Sequence, residues 1–386
     1  MRLFVACAPG LEPLLADEVR ALELGVAREV PGGVELEGDL GVLWRANLEL
    51  GLASHVLLRV GTLGAKHLGE LAKKAARVDW ATWLSPGTPV RVHATSRASK
   101  LYHTGAIAQR VGRALREQAG AELTEKGGAD APAPPLVVHA RLERDVCTLS
   151  IDTSGEPLHR RGYRLATAKA PLREDLARAL LIASGWDRAS PLVDPMMGAG
   201  TIVIEAALLA RRLPPGHLRP RFGFMGLRSH DEAAFERFRT QAVARALPRL
   251  DFPIHGRDRD AGAVAAARDN AERAGVRADL DLRRAPLGPR LWPFDDPPPD
   301  RGAVVANPPH GRRVGDRKTL GTLHQRLGRL VADLPPGWAF ALLSSNRRLA
   351  LRTGLALRTA LVTDQGGTKV RMLVRASAPP PRQPEN

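Results

Sequence analysis

An asparagine followed by two prolines and a histidine, Asn307-Pro308-Pro309-His310, stands at the end of the apolar run Ala303-Val304-Val305-Ala306, which reads as the mouth of a buried strand. The chemistry available there is that of an amide held still: its oxygen accepts, its nitrogen donates, and two prolines remove backbone donors and stiffen the turn. Such an amide could grip an exocyclic amino group. The same residues also serve as an Asn-Pro turn that merely closes a strand, and taken alone the two readings weigh equally.

Upstream, residues 191–201 read PLVDPMMGAGT and run into Ile202-Val203-Ile204-Glu205-Ala206-Ala207: a strand, an acid, a glycine-bearing turn and an apolar helix. Glycines let backbone approach a ligand closely, and the turn lies at the carboxyl end of a strand, where open α/β sheets bind ligands. Asp194 precedes the glycines and no third glycine follows at the dinucleotide offset, so the loop suits a cationic or amino-acid-bearing cofactor better than a pyrophosphate. By itself, Gly198-Ala199-Gly200 is also a plain helix entry. A second segment, Ile254-His255-Gly256-Arg257-Asp258-Arg259-Asp260, precedes a helix-like stretch over 261–275. A carboxylate at that strand end can accept both hydroxyls of a ribose. Asp258 is the better placed, and Asp260 as readily caps the helix.

Positioning these three loops on one edge requires a parallel sheet, and from about Asp175 onward the pattern is of longer helices between short apolar strands, as in a parallel sheet covered on both faces. The front half differs. Residues 1–54 alternate strand and helix patterns in a small α+β unit without a catalytic constellation. Residues 54–152 add strands at 56–60, 89–94, 136–140 and 145–150, and helices at 68–76 and 103–119, with a surface loop at 127–135. The basic stretch 155–171, GEPLHRRGYRLATAKAP, reads either as a phosphate-contacting connector or as a solvated linker. Residues 286–299 read as a Pro-rich insertion, and 376–386 as a disordered tail.

The 386 residues are 44% hydrophobic and 25% charged, the balance of a soluble globular protein. Its 57 Lys and Arg against 41 Asp and Glu leave a formal charge of +16. That excess favours polyanions, nucleic acid first, unless an arginine-rich composition merely decorates the surface. Cys7 and Cys147 have no paired spacing, so neither a disulfide framework nor a zinc cluster is expected, and a reducing cytoplasm is the simplest compartment. No segment approaches a secretory signal or the ~20 apolar residues of a membrane span.

In order and wording these segments resemble the class I S-adenosylmethionine-dependent methyltransferases that carry an Asn-Pro-Pro-aromatic motif and modify exocyclic amino groups of nucleic acid bases. The stretch Ser99-Lys100-Leu101-Tyr102-His103-Thr104-Gly105 resembles the THUMP RNA-binding domain. Residues 152–163 with Ala170-Pro171-Leu172-Arg173-Glu174 resemble the junction of the RlmL-type 23S rRNA guanine-N2 methyltransferases. The resemblance implies an α/β chain with an N-terminal ferredoxin-like domain at 1–54, a THUMP domain at 55–154, a linker at 155–172 and a Rossmann-like methyltransferase domain at 173–375. It implies that Asp194, Gly198 and Gly200 line the methionine part of S-adenosyl-L-methionine, with Met196 and Thr201 beside them, that Asp258 holds the ribose next to Arg259, and that Asn307, Pro308, Pro309 and His310 present the base. No metal is implied. Two positions depart from the family pattern: His310 stands where Tyr or Phe is usual, and residues 282–287 lack the acid expected near the adenine amine.

The implied reaction is a displacement in which charge passes from sulfur to nitrogen, so placement supplies most of the catalysis. The target base must be unpaired or flipped out to reach such a cleft. RNA is the expected partner, 23S rRNA first and tRNA as the alternative, gripped through Arg97, Lys100, Arg110, Arg113 and Arg116 unless these form an ordinary solvated helix face. A non-catalytic RNA-binding or ribosome-assembly factor is the rival from another class. An N6-adenine DNA methyltransferase shares the Asn-Pro-Pro chemistry but has no obvious use for a THUMP-like segment.

Overall fold

The computed structural model describes residues 1–124, 134–164, 172–309 and 316–375. They form two compact units, the first from Met1–Cys7, Leu15–Arg160 and Pro215–Ala244, the second from Ala8–Leu14, Arg161–Pro214 and Arg245 onward.

The first unit is built on one eight-stranded sheet. Its strands are β1 (Arg2–Cys7), β2 (Arg28–Val30), β3 (Gly33–Glu37), β4 (Ala53–Gly64), β5 (Pro89–Arg97), β6 (Glu122–Leu123), β7 (Leu136–Glu143) and β8 (Val146–Asp152), in the order β2-β3-β1-β4-β8-β7-β5-β6. The 12-residue β4 makes this a single sheet: it pairs with β1 from Ala53 to Arg59 and with β8 from Leu57 to Gly64. Alternation sets the two faces. Val56, Leu58, Val90, Val138, Ala140, Leu142 and Leu149 are buried, on the side where helices Leu40–Glu49, Leu68–Ala75 and Thr104–Ala119 pack. Asp39 caps the first of these by accepting from Val42 N at 3.0 Å, and Gly120, at φ +64°, ends the third.

The chain returns to this unit after residue 214. Phe224 N donates to Thr153 O at 2.8 Å, the buried Arg219 guanidinium donates to the carbonyls of Pro157, Arg160 and Glu156, and Phe222, Phe224 and Phe235 pack ring against ring. Helix Glu232–Ala244 brings Phe235 and Phe238 onto Trp44. Cys7 and Cys147 are buried and form no disulfide among the described residues, and burial pushes the Cys147 thiol up to about 12.

The second unit carries β9 (Leu192–Asp194), β10 (Ile254–Asp258), β11 (Leu280–Arg284), β12 (Arg301–Ala306), β13 (Gly337–Ser344), β14 (Leu357–Gln365) and β15 (Thr368–Arg375), in the order β11-β10-β9-β12-β13-β15-β14. The first five are parallel, as the apolar strands predict, and β14–β15 add an antiparallel hairpin at one edge. Helix Thr201–Ala210 is buried along its whole length, the mark of a helix that is apolar all round. The core gathers Val193, Val304, Leu327, Val331, Phe340 and Leu342; cutting Phe340 to Ala would cost about 3–5 kcal/mol.

Residues 286–299, expected as a mere insertion, join that core. Leu287, Leu291 and Trp292 are buried, and Trp292 meets the rings of His255, Phe294 and Trp338. The prolines masked an apolar set large enough to drive burial. The tail at 376–386 lies outside the described residues.

Candidate functional site

β9 lies between β10 and β12 and is parallel to both, so the strand order reverses there and the carboxyl ends of the three strands border one crevice. Asp194 closes β9 at 1% exposure, and its Oδ1 accepts from Met196 N at 3.0 Å. Burial, with Asp258 nearby adding to it against the Met196 hydrogen bond, pushes this carboxyl up to about 8. The turn that follows is set by Gly198 at φ +53° and Gly200 at φ +84°. A Cβ on Gly200 would lie 3.0 Å from the Ala267 Cβ, whereas one on Gly198 would meet nothing within 4 Å. Gly200 closes the turn on its neighbour helix, and Gly198 leaves an open cradle.

Asp258 ends β10 and joins the same loop. Its Oδ2 accepts from Gly198 N at 2.9 Å and its Oδ1 from Asp260 N at 2.9 Å. Asp260 caps helix Ala261–Arg273 by accepting from Ala263 N at 2.8 Å, so the two acids divide into a strand-end group and a cap. From that helix, Asn270 Nδ2 donates to Ala199 O at 3.0 Å. Arg259 is exposed and Met196 half-buried against the core. The Thr201 hydroxyl is taken up by Arg164 Nη2 at 2.7 Å. After β11, Ala285 N donates to Asp258 O at 2.9 Å, and the only acid of β11, Asp281, is engaged by Arg283 and His255.

Asn307 follows β12. Val304 is level with Val193, so the asparagine emerges on the same edge as Asp194, with Pro308 buried and Pro309 exposed. Its Oδ1 is buried and accepts no hydrogen bond among the described residues. An unsatisfied buried amide oxygen costs about 1–3 kcal/mol, and native proteins rarely leave one without a use. His310 lies outside the described residues.

Beneath the glycine loop lies a network that the sequence reading missed. Arg161 and Tyr163 are buried, not solvated or free for phosphate as the basic stretch suggested. Arg161 Nε lies 3.4 Å and Tyr163 Oη 3.3 Å from Glu205 Oε1. Arg164, besides Thr201, reaches Glu174 Oε1 at 3.3 Å. Burial pushes Glu174 up to about 7, with Arg164 opposing. One signal could have revealed this: Glu205 is the lone acid in the ten-residue run Thr201–Ala210, and a carboxylate inside an apolar helix requires a cation. Among the described residues no group of three or more His, Cys, Asp or Glu is arranged to hold a metal, and no helix is long and apolar enough to cross a membrane.

Known protein families match three successive parts of the chain. The RMKL-like methyltransferase domain matches residues 161–364, the RlmL ferredoxin-like domain 2–57 and the THUMP domain 65–152. A Syntrophotalea carbinolica protein named ribosomal RNA large subunit methyltransferase K/L is 36% identical over 96% of this chain, which covers 53% of that protein. The chain thus spans about half the length of the relatives bearing that name. A Synechocystis protein provisionally named an RNA methyltransferase is 31% identical over 96% of this chain and 95% of that one. A solved structure described as a methyltransferase complexed with S-adenosylhomocysteine superposes with TM-score 0.85 at 27% identity, covering 98% of each chain. With ferredoxin-like, THUMP and methyltransferase domains in that order, the chain belongs to the RMKL-like methyltransferase family.

Proposed function

We propose that this chain transfers a methyl group from S-adenosyl-L-methionine to the exocyclic N2 amine of a guanine in RNA, 23S rRNA before tRNA, in the cytoplasm. The observation that carries the reading is the Asn307 Oδ1, buried and without a donor among the described residues, at the mouth of β12. The names of the relatives support RNA as the substrate class.

The residues present fit the cofactor. A buried acid held up to about 8 is an acid in want of a cation, and an amino-acid ammonium beside Asp194 would restore its charge. Gly198 leaves room where any side chain would stand. Each Asp258 oxygen already holds a backbone N–H yet retains a lone pair for a ribose hydroxyl. When bound, the cofactor supplies an electrophilic methyl carbon on a sulfonium.

The remaining work falls to Asn307 and its prolines. The amine lone pair of guanine is delocalised into the ring; a hydrogen bond from N2–H to Asn307 Oδ1, joined by the Pro308 carbonyl, favours a more tetrahedral nitrogen. The same acceptors stabilise positive charge as it develops on that nitrogen, and the two prolines keep them from reorganising. No general base is needed, because the product ammonium loses its proton readily to water.

The test is nucleoside mass spectrometry of 23S rRNA and tRNA from a strain lacking the protein, with in vitro methylation of each deproteinised RNA. Loss of N2-methylguanosine from 23S rRNA is expected. Loss from tRNA alone would move the substrate, and loss of N6-methyladenosine instead would overturn the guanine reading.

A further inference from the structure

The sequence reading placed the RNA grip on Arg97, Lys100, Arg110, Arg113 and Arg116, but these do not form one patch. Arg113 and Arg116 are exposed on helix Thr104–Ala119, and Arg113 is engaged by Glu117 at 2.6 Å. Arg97 ends β5 in the exposed alternation Arg91, His93, Thr95, Arg97, on the face of the sheet away from that helix.

That face carries its own basic track. In register across β5, β7, β8, β4 and β1 lie His93, His139, Ser150, Arg59 and Arg2. Thr95, Arg141 and Thr148 form a parallel row. Five strands span ~19 Å, a length that five or so nucleotides cover at ~3.4 Å per step. Two hollows of about 660 and 340 Å³ share Arg59, Glu35 and Thr148; the larger adds Arg2 and Arg28, the smaller Arg97 and Arg141.

Charge compensation across these hollows is incomplete. Glu35 is engaged by Arg28 and reaches Arg59 only at 4.0 Å, while Glu143 pairs with Arg141 at 2.8 Å. Arg2 and Arg97 close no ion pair among the described residues, although Glu37 and Glu143 stand opposite them on the neighbouring strands. Arg59 is held ready, its guanidinium 4.5 Å over the Phe4 ring and its Nη1 donating to Ser150 Oγ at 3.2 Å. Guanidiniums crowded on a polar, half-open floor recognise phosphate oxygens.

We propose that the open face of β1, β4, β5, β7 and β8, and not helix Thr104–Ala119, binds the phosphodiester backbone of the RNA substrate. This rests on RNA being the substrate, as read above. The half-buried Thr148 adds a neutral hydroxyl beside the guanidiniums, while the buried Ser150 holds Arg59 in place, and the track runs from the ferredoxin-like strand β1 into the THUMP strands without a break.

The test measures binding of deproteinised 23S rRNA to the full chain over 0.05–0.3 M salt, for the parent, an Arg2→Gln/Arg97→Gln/Arg141→Gln variant and an Arg110→Gln/Arg113→Gln/Arg116→Gln variant. The sheet variant is expected to lose more than tenfold in affinity at 0.1 M salt and to lower the slope of log K against log salt by about 2, at ~0.7–0.9 per phosphate contact. The helix variant should stay within twofold. All three sites of the sheet variant are exposed, and its S-adenosylhomocysteine affinity and melting temperature should match the parent, which shows that it is folded. Unchanged affinity, or an affinity loss with unchanged slope, overturns the inference. So does loss of self-association of the variant in sedimentation without RNA, which would make the face a contact between copies. A parent chain that binds no RNA would instead overturn the proposed function itself.

Discussion

Each unit buries an aspartate at a strand end and an asparagine close by, and the two pairs are treated in opposite ways. In the first unit Asp152 is 3% exposed, with His55 Nδ1 at 2.8 Å and His139 Nε2 at 3.8 Å and the backbone N–H groups of Ser154 and Gly155 donating to it. Burial opposes its charge, but the neighbouring side chains of His139 and His55 hold it down at about 2. Asn47 is likewise complete: it donates to Leu43 O and Thr153 Oγ1 and accepts from Ser154 Oγ at 2.6 Å. In the second unit Asp194 accepts from Met196 N alone among the described residues and is pushed up to about 8, while Asn307 Oδ1 has no donor among them. The same side chains are closed by the protein in one place and left incomplete in the other; in the proposed reading a ligand completes them. Satisfied polar groups specify a fold, and unsatisfied ones at a crevice mark where chemistry is completed from outside.

Four substitutions or titrations sharpen that contrast. Asn307→Ala should lower single-turnover methyl transfer to 23S rRNA by about 100-fold, the scale of one lost transition-state hydrogen bond, with S-adenosylhomocysteine affinity and melting temperature unchanged; equal loss of cofactor affinity would break the assignment. Asp194→Asn should weaken S-adenosylhomocysteine about 10- to 100-fold in calorimetry, as for a hydrogen bond to a charged group, while the ligand-free protein melts no lower than the parent at pH 8. Asn47→Ala should do the reverse, costing about 1–3 kcal/mol in denaturant unfolding by stranding Thr153 and Ser154, with cofactor affinity intact.

The smallest effect is a pair of opposed pH slopes. The depressed Asp152 contributes stability above its unfolded pKa that is lost as pH falls through about 2. The raised Asp194 contributes stability at acid pH that is lost as pH rises toward about 8. Melting of Asp194→Asn relative to the parent should therefore improve between pH 5 and 8, and Asp152→Asn should lose its penalty on acidification below pH 4. Parallel slopes for the two variants would contradict the contrast.

How much of this was legible in the sequence follows the range of the interactions. Asp194, Gly198, Gly200 and Asp258 declare themselves because strand, acid, glycine turn and helix are contiguous, and Asn307 because prolines fix its turn locally. The Asp260 cap was a local alternative, and the helix start decided it. What stayed hidden is nonlocal. Arg161 meets Glu205 across 44 residues, and residues 215–244 return to the first unit through Phe222, Phe224 and Arg219 contacts that no periodicity encodes. Trp292 sits among prolines that imitate a loop, and the β14–β15 hairpin has no unbroken apolar run to announce it. The open face of the first sheet was hidden for a related reason. Its arginines are spaced along five strands and become neighbours only through register.

In the proposed reading a cationic ligand completes the buried Asp194, and titration of S-adenosylhomocysteine into the intact chain between pH 6 and 8, in buffers of differing ionisation enthalpy, is the sharpest check of it. The account predicts binding that releases a proton at pH 6, releases progressively less toward pH 8, and tightens over that range as Asp194 ionises, with the trend abolished in Asp194→Asn. Absence of binding, or an affinity that is flat or falls between pH 6 and 8, would contradict it.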